Sequence, residues 1–193
     1  MQSSPVVNLP TKFGPLRVKV GNGHDLVPPW VVIYKKPWEN IPFLRIHSSC
    51  LFSESFHSAD CDCAMQLNES LKTIADKGGA VVYLYQEGRR AGLFRKAVAM
   101  ATEEELSLDT ASAFMHHGFE LDSRQYEAVK EALSSIDFPR EVRLATNNPR
   151  KIKALEEFGY IVTERALMDL SLTERHIKYL KSKVQGLGHY EWR

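Results

Sequence analysis

The chain has 193 residues, with 25 basic against 24 acidic side chains and a net charge of +1. That balance gives no basic face of the kind duplex nucleic acid requires, and no apolar run approaches the ~20 residues that span a membrane. The length suits one sizeable core, and residues 1–193 read as a single domain. The opening MQSSPVVNLP has no charged start followed by an apolar stretch, so a cytoplasmic protein is expected.

Residues 1–10 are polar and contain prolines, and are expected to be loose. Leu16, Val18 and Val20 alternate, predicting a strand over 13–20, and GNGHD at 21–25 reads as a turn. WVVIY at 30–34 predicts a short buried strand, 36–42 a loop, and 43–47 a strand leading into Cys50. The polar segment 52–60 reads as a loop. From Ala64, Met65, Leu67, Leu71, Ile74 and Ala75 recur at helical spacing until Gly78 and Gly79 stop the helix. AVVYLY at 80–85 is continuously apolar, as a central strand covered on both faces would be. QEGRRAGL then leads into a helix whose stripe is Leu93, Phe94, Ala97, Val98 and Ala101. Asp109 is placed to cap the next helix, which carries Ala113, Phe114 and His117. Further on, a helix is predicted over 124–133, a strand over 142–145, and a helix from Asn148-Pro149 through Leu155 to Gly159. A short strand at 160–163 and a helical tail within 173–193, basic over 173–184, complete the chain. Strands alternating with helices argue an α/β fold, layered α/β/α with a mixed sheet.

All three cysteines, Cys50, Cys61 and Cys63, fall in the segment 45–66, RIHSSCLFSESFHSADCDCAMQ. An odd number of clustered thiols is not a disulfide framework. Zinc accepts sulfur ligands tetrahedrally, and three protein ligands leave a fourth position for water. Cys61 and Cys63, two apart, face the same way on an extended segment. Two plainer readings stand beside this: three buried inert thiols, or a closed site completed by His47 or His57. Gln86-Glu87-Gly88-Arg89-Arg90 follows an apolar strand, where α/β proteins place ligands. Gly88 permits close backbone approach and Arg89 can grip a phosphate with two bonds, yet a solvated charged turn has the same sequence. Thr146 and Asn148-Pro149-Arg150-Lys151 open a helix, which suits either a phosphate or a simple cap.

RIHSSC, DCDCAMQL, YQEGRRAGL and LATNNPRK, in that order, closely resemble GTP cyclohydrolase II, the family that opens guanine at the head of riboflavin synthesis. Its pattern reads R-V-H-S-E-C, R-C-D-C-x-x-Q-L and Q-E-G-R-x-x-G-L, and the resemblance runs from Pro10 to about His189. It implies a catalytic zinc on Cys50, Cys61 and Cys63, and a homodimer. It implies that Arg45, Ile46, His47, Ser48 and Ser49 line the GTP pocket, with Ser49 where the family has Glu. Gln66, Glu87, Gly88, Arg89, Thr110, Thr146 and Lys151 match further nucleotide contacts, and Arg90 departs from the pattern. Mg2+ is expected to accompany the triphosphate. Asp122 matches the family's proton acceptor, and Arg124 the nucleophile that takes the α-phosphate while diphosphate leaves. Because a guanidinium stays protonated, a role for Arg124 in stabilising phosphate charge is equally physical. An exposed Asp-Arg pair beside a helix start is the plainest reading.

The zinc is expected to activate water for attack on carbon 8 of guanine. Three thiolates donate more charge than three imidazoles and acidify that water less, and Arg45 or Arg89 is expected to compensate. Met100 stands where the family carries a catalytic Tyr; its plainer reading is core, on the stripe with Leu93, Phe94 and Ala97. A thioether is only a weak acceptor where a hydroxyl both donates and accepts. The chain is therefore predicted to open the ring, release diphosphate and retain the formyl group. The alternatives are the full reaction with formate release and a non-catalytic, zinc-stabilised GTP-binding module. A nucleoside deaminase is excluded, since no P-C-x-x-C is present.

Overall fold

The computed structural model describes residues 3–23, 27–168, 170 and 172–191. Among them are strands β1 (Val7–Thr11), β2 (Gly14–Val20), β3 (Val31–Lys35), β4 (Phe43–Ser48), β5 (Gly79–Leu84), β6 (Glu141–Leu144) and β7 (Ile161–Arg165). The helices are α1 (Leu51–Glu54), α2 (Cys63–Lys77), α3 (Leu93–Leu106), α4 (Thr110–His116), α5 (Glu127–Ser134), α6 (Pro149–Glu157) and α7 (Glu174–Leu187). The chain divides into two compact units. One, here the sheet unit, comprises Met1–His47, Met65–Tyr85 and Tyr126–Leu170. The second comprises Ser48–Ala64, Gln86–Gln125 and Ser171–Arg193.

The sheet runs in the order β1-β2-β3-β5-β4-β6-β7. Pairing is antiparallel from β1 through β2 and β3 to β5, and parallel from β4 through β6 to β7, so the sheet is mixed as expected. Alternation along the strands splits its faces. Val32 and Tyr34 of β3, Leu44 and Ile46 of β4, Val82 and Leu84 of β5, and Val142 and Leu144 of β6 turn to one side. There they pack with Val129, Ala132 and Leu133 of α5 and Ala154 and Leu155 of α6. On the other side Arg45 donates to Gln66 of α2, and Lys35 donates to the carbonyl of Ala75. Helices thus cover both faces, the α/β/α layering read from the sequence.

Several local expectations are corrected. Residues 7–11 are not loose but form β1, an edge strand closed onto β2 by the pairing of Thr11 with Gly14. Its side chains are largely exposed, so backbone pairing rather than an apolar pattern holds it. The segment at 52–60 is not all loop: Leu51–Glu54 is a helical turn whose N-cap is Cys50. In α2 the buried stripe is Gln66, Ser70 and Ile74 rather than Met65, Leu67 and Leu71; Ser70 satisfies its hydroxyl on the Gln66 carbonyl at 2.7 Å. The helix expected over 124–133 starts at Glu127, leaving Arg124 in the loop before it. Of the expected turn at 21–25, His24 and Asp25 lie outside the described residues.

The second unit has a small apolar centre of Ala99, Ala113 and Phe114, flanked by Ala91, Leu108, Phe119 and Leu121. The stripe expected on α3 is wrong here: Phe94 is 80% exposed, Leu93 and Ala97 are exposed too, and the helix buries Ala99 and Thr102 instead. Asp109 caps α4 as expected, accepting from the N–H groups of Ala111 and Ser112. Among the described residues, no helix is long and apolar enough to cross a membrane.

Candidate metal centre and nucleotide-binding residues

The three cysteines converge within the second unit. Cys50 stands at the N-cap of α1, Cys61 in the turn that follows, and Cys63 at the first position of α2. Their sulfurs all lie within 4.8 Å of one another, with Cys50 and Cys61 3.6 Å apart. Metal–sulfur bonds of ~2.3 Å in a tetrahedron put sulfurs roughly 3.8 Å apart, so the donor set fits one soft divalent ion. Thiols this close titrate together. The bond from Cys50, then that from Cys63, holds the Cys61 thiol down to about 2, while the bonds to Cys50 and Cys61, with burial, push Cys63 up. Neither His47 nor His57 belongs to this group of ligand atoms. Asp62, between two of the cysteines, is fully buried and pairs with Lys183 of α7 at 3.4 Å.

The turn at Glu87–Arg90 is wound with Gly88, Arg89 and Arg90 all at positive φ (57°, 58° and 72°). Glu87 accepts from the N–H of Leu51 at 2.7 Å and from Lys96 Nζ at 2.8 Å. Lys96 Nζ also stands 3.2 Å from Cys50 Sγ. Burial lowers the Lys96 pKa, but the bond to Glu87 and then the attraction of Cys50 outweigh it, and the net shift is upward. The Glu87 carboxylate is therefore committed within the protein. Arg89 donates to the Leu121 carbonyl at 3.5 Å and lies 5.7 Å over the Phe114 ring. Thr110 opens α4 with its hydroxyl bonded to Glu103, whose carboxyl is pushed up by burial.

Asp122 and Arg124 form a two-pronged pair: Nε donates to Oδ1 at 2.9 Å and Nη2 to Oδ2 at 2.6 Å. Their side chains are 9% and 10% exposed, so this is not an open surface pair. Such paired, charge-assisted bonds fix the guanidinium plane. Ser48 Oγ is buried with no hydrogen-bond partner among the described residues. Ser49 is half-buried.

In the sheet unit the expected nucleotide residues gather at the carboxyl ends of β4 and β6, where such sheets place ligands. Arg45, buried, donates to Gln66 and, at 2.8 Å, to the Ala145 carbonyl. Lys151, on the first turn of α6, donates to the Ile46 carbonyl at 2.8 Å. His47 stacks on Tyr83 at 5.6 Å. Thr146 accepts from the N–H of Asn148, which in turn caps α6 through Arg150 N–H.

A model of the GTP cyclohydrolase II family matches residues 2–167. The chain belongs to the GTP cyclohydrolase II family. It is 42% identical over 146 residues to the GTP cyclohydrolase-2 of Shewanella baltica, covering 75% of this chain and 71% of that one. With the GTP cyclohydrolase-2 of Vibrio vulnificus it shares 36% over 152 residues, 79% of this chain and 76% of that one. It also matches the riboflavin biosynthesis protein RibBA of Staphylococcus epidermidis, 35% identical over 95% of this chain and 46% of that longer protein, so it spans about half of it.

As a GTP cyclohydrolase II-like chain it is a hydrolase. Met100, where the family pattern has Tyr, is half-buried on α3 and lies four residues after Lys96, on the same helix face. It is absent from the small apolar centre, so the expected core stripe does not explain it. Sequence reasoning missed Lys96 and Glu103, because a Lys or Glu on a helix next to other charges carries no mark of burial. The available signal for Lys96 was spacing: it follows Gly92 by one turn, on the helix entered from the Glu-Gly-Arg motif.

Proposed function

We propose that this hydrolase opens the imidazole ring of GTP, releases diphosphate, and stops at the formamidopyrimidine nucleotide with its formyl group retained. The observation that carries the reading is the convergence of three sulfurs within 4.8 Å in a chain of this family. Cys50, Cys61 and Cys63 would hold one zinc. When bound, it supplies Lewis-acid activation of water toward carbon 8 of guanine.

This chain's own residues do the rest. Asp122 accepts two bonds from the Arg124 guanidinium, which supports reading it as the group that takes the guanidinium's proton. Arg124 takes the α-phosphate as diphosphate leaves, and water then cleaves the phosphorus–nitrogen bond, returning Arg124 and freeing the nucleotide 5′-phosphate. Lys151 and Thr146 at the start of α6, with Arg45, Ile46, His47 and Gln66, are the nucleotide contacts of the sheet unit. Ser48, Ser49, Glu87, Gly88, Arg89 and Thr110 are those of the second unit. Mg2+ accompanies the triphosphate as a hard cation on phosphate oxygens. The protein works as a homodimer in the cytoplasm, and the names of its relatives support a place in riboflavin biosynthesis. Met100 sets the stopping point. Losing one donor to a developing oxyanion costs ~10²–10³ in rate, and a thioether cannot donate.

Mass spectrometry of the product from GTP, zinc and Mg2+, with a formate assay, tests this. The expected product keeps its formyl group and no formate appears; stoichiometric formate overturns the reading. Met100→Tyr should restore formate release. Arg124→Ala should abolish diphosphate release while the zinc stays bound.

A further inference from the structure

We propose that Lys96 is a positioning residue of the metal centre, with its ammonium hydrogen-bonded to the Cys50 thiolate and locked there by Glu87. The proposal rests on the metal reading above and names a residue outside the ligand set.

The geometry is specific. Lys96 Nζ lies 3.2 Å from Cys50 Sγ and 2.8 Å from Glu87 Oε1, and 4.8 Å from the centroid of the Phe52 ring. Carboxylate, sulfur and aromatic face each attract an ammonium, and together they fix a side chain that is otherwise flexible. Glu87 is itself fixed, since its Oε2 accepts from the N–H of Leu51, the residue next to Cys50. Gly88 makes room: a Cβ there would stand 3.1 Å from Lys96 Cβ. Part of what the Glu-Gly-Arg turn does is therefore to seat this lysine.

Charge and chemistry give the arrangement its purpose. Three thiolates and one divalent ion sum to −1, and the ammonium sets a positive charge directly against the Cys50 sulfur of that anionic group. Unbalanced charge in a half-buried place is costly. A donor on sulfur also withdraws electron density from it, so the metal keeps more of its acidity. Compensation for the strongly donating thiolates was expected from Arg45 or Arg89. Arg89 instead spends its guanidinium on Leu121 and Phe114, and Lys96 is the cation bonded to a ligand sulfur.

The test uses the full-length protein loaded with zinc, and separately with Co(II). Zinc affinity is read by competition with a chromophoric chelator, and the ligand field by the sulfur-to-cobalt charge-transfer band. Lys96→Met should weaken zinc binding roughly 10–100-fold and move the band to lower energy. Lys96→Arg should restore most of both. Should Lys96→Met fail to fold, Glu87→Gln carries the test, because it unseats the ammonium and should move the band the same way. If the unaltered protein binds no metal, the metal reading itself falls. If it binds zinc, and the variants match it in affinity and band position, Lys96 has no such role.

Discussion

The two units are held together by different physics. In the sheet unit, Leu44, Ile46, Val82, Leu84, Leu133, Leu144 and Leu155 are each 1% exposed or less, within one continuous apolar cluster. Burying a side chain of this kind contributes about 1.5–3 kcal/mol. The second unit has Ala99, Ala113 and Phe114 as its apolar centre, two of them too small to bury much area. It is knit by ionic contacts: Glu87 with Lys96, Asp122 with Arg124, Asp62 with Lys183, and three sulfurs facing one another. Such contacts contribute through placement more than through net energy. The sheet unit is thus a scaffold that stands on hydrophobic burial, while the second unit spends its stability on holding reactive groups. Metal should matter to the second far more than to the first.

The largest expected effect follows. Cys61→Ser should lose zinc and ring opening together. It should also raise hydrogen exchange in Leu51–Glu54 and in the first turns of α3, and leave β4 and β6 protected. Full zinc in that variant, read by metal analysis, refutes the ligand assignment; uniform loosening of both units breaks the contrast between them. Next comes the mirror experiment. Leu144→Ala removes a fully buried side chain of β6 and should cost about 2–5 kcal/mol in urea unfolding, with zinc content per folded protein unchanged. A fall in zinc content would mean that the scaffold and the metal centre do not fail separately.

How much was legible in the sequence divides along the same line. The apolar runs of β3, β5 and β6 were readable because burial writes itself as hydrophobic pattern. The three cysteines were readable because the residue is rare and clustered. What stayed hidden was whatever is held by polar bonds. β1 carries exposed side chains on a paired backbone. α2 buries Gln66 and Ser70, which no periodicity of apolar residues could reveal. On α3 the apolar-looking Phe94 is exposed, and Lys96, which looks like surface, is half-buried and bonded to Glu87 and Cys50. Asp122 and Arg124 were nameable from resemblance alone; their two-pronged contact depends on a loop conformation that spacing does not encode.

Glu103 offers a milder probe of the second unit. Burial raises its carboxyl above the ordinary 4.5, with the Thr110 hydroxyl and Arg89 pulling the other way. A carboxyl whose folded pKa is raised stabilises the fold fully below its unfolded value, and that stability is lost as pH rises through the folded value. At pH 7 its charge is therefore a burden, reduced because the group is only half-buried. Glu103→Gln should raise the thermal midpoint modestly at pH 7, with the difference vanishing toward pH 4. A gain of the same size at both pH values would show that the raised carboxyl is not the cause.

The smallest effect concerns the wound turn itself. Arg90 sits at φ 72°, a left-handed conformation that costs a side-chain-bearing residue about 1 kcal/mol or more. Its bond to the Ser123 carbonyl, at 3.5 Å and exposed, is too long to repay much of that. Glycine adopts the same φ without strain, though it adds about 0.5–1 kcal/mol of backbone freedom to the unfolded chain. Arg90→Gly should therefore stabilise by roughly 0.5 kcal/mol, or about 1–2 °C in Tm for a chain of this length, with activity retained. Arg89→Gly makes the sharper comparison. Its φ of 58° relieves similar strain, but it deletes the guanidinium over Phe114 and a proposed nucleotide contact. It should gain no stability and should raise the KM for GTP. If both variants behave alike, the Arg89 guanidinium is neither a nucleotide contact nor a support of the turn.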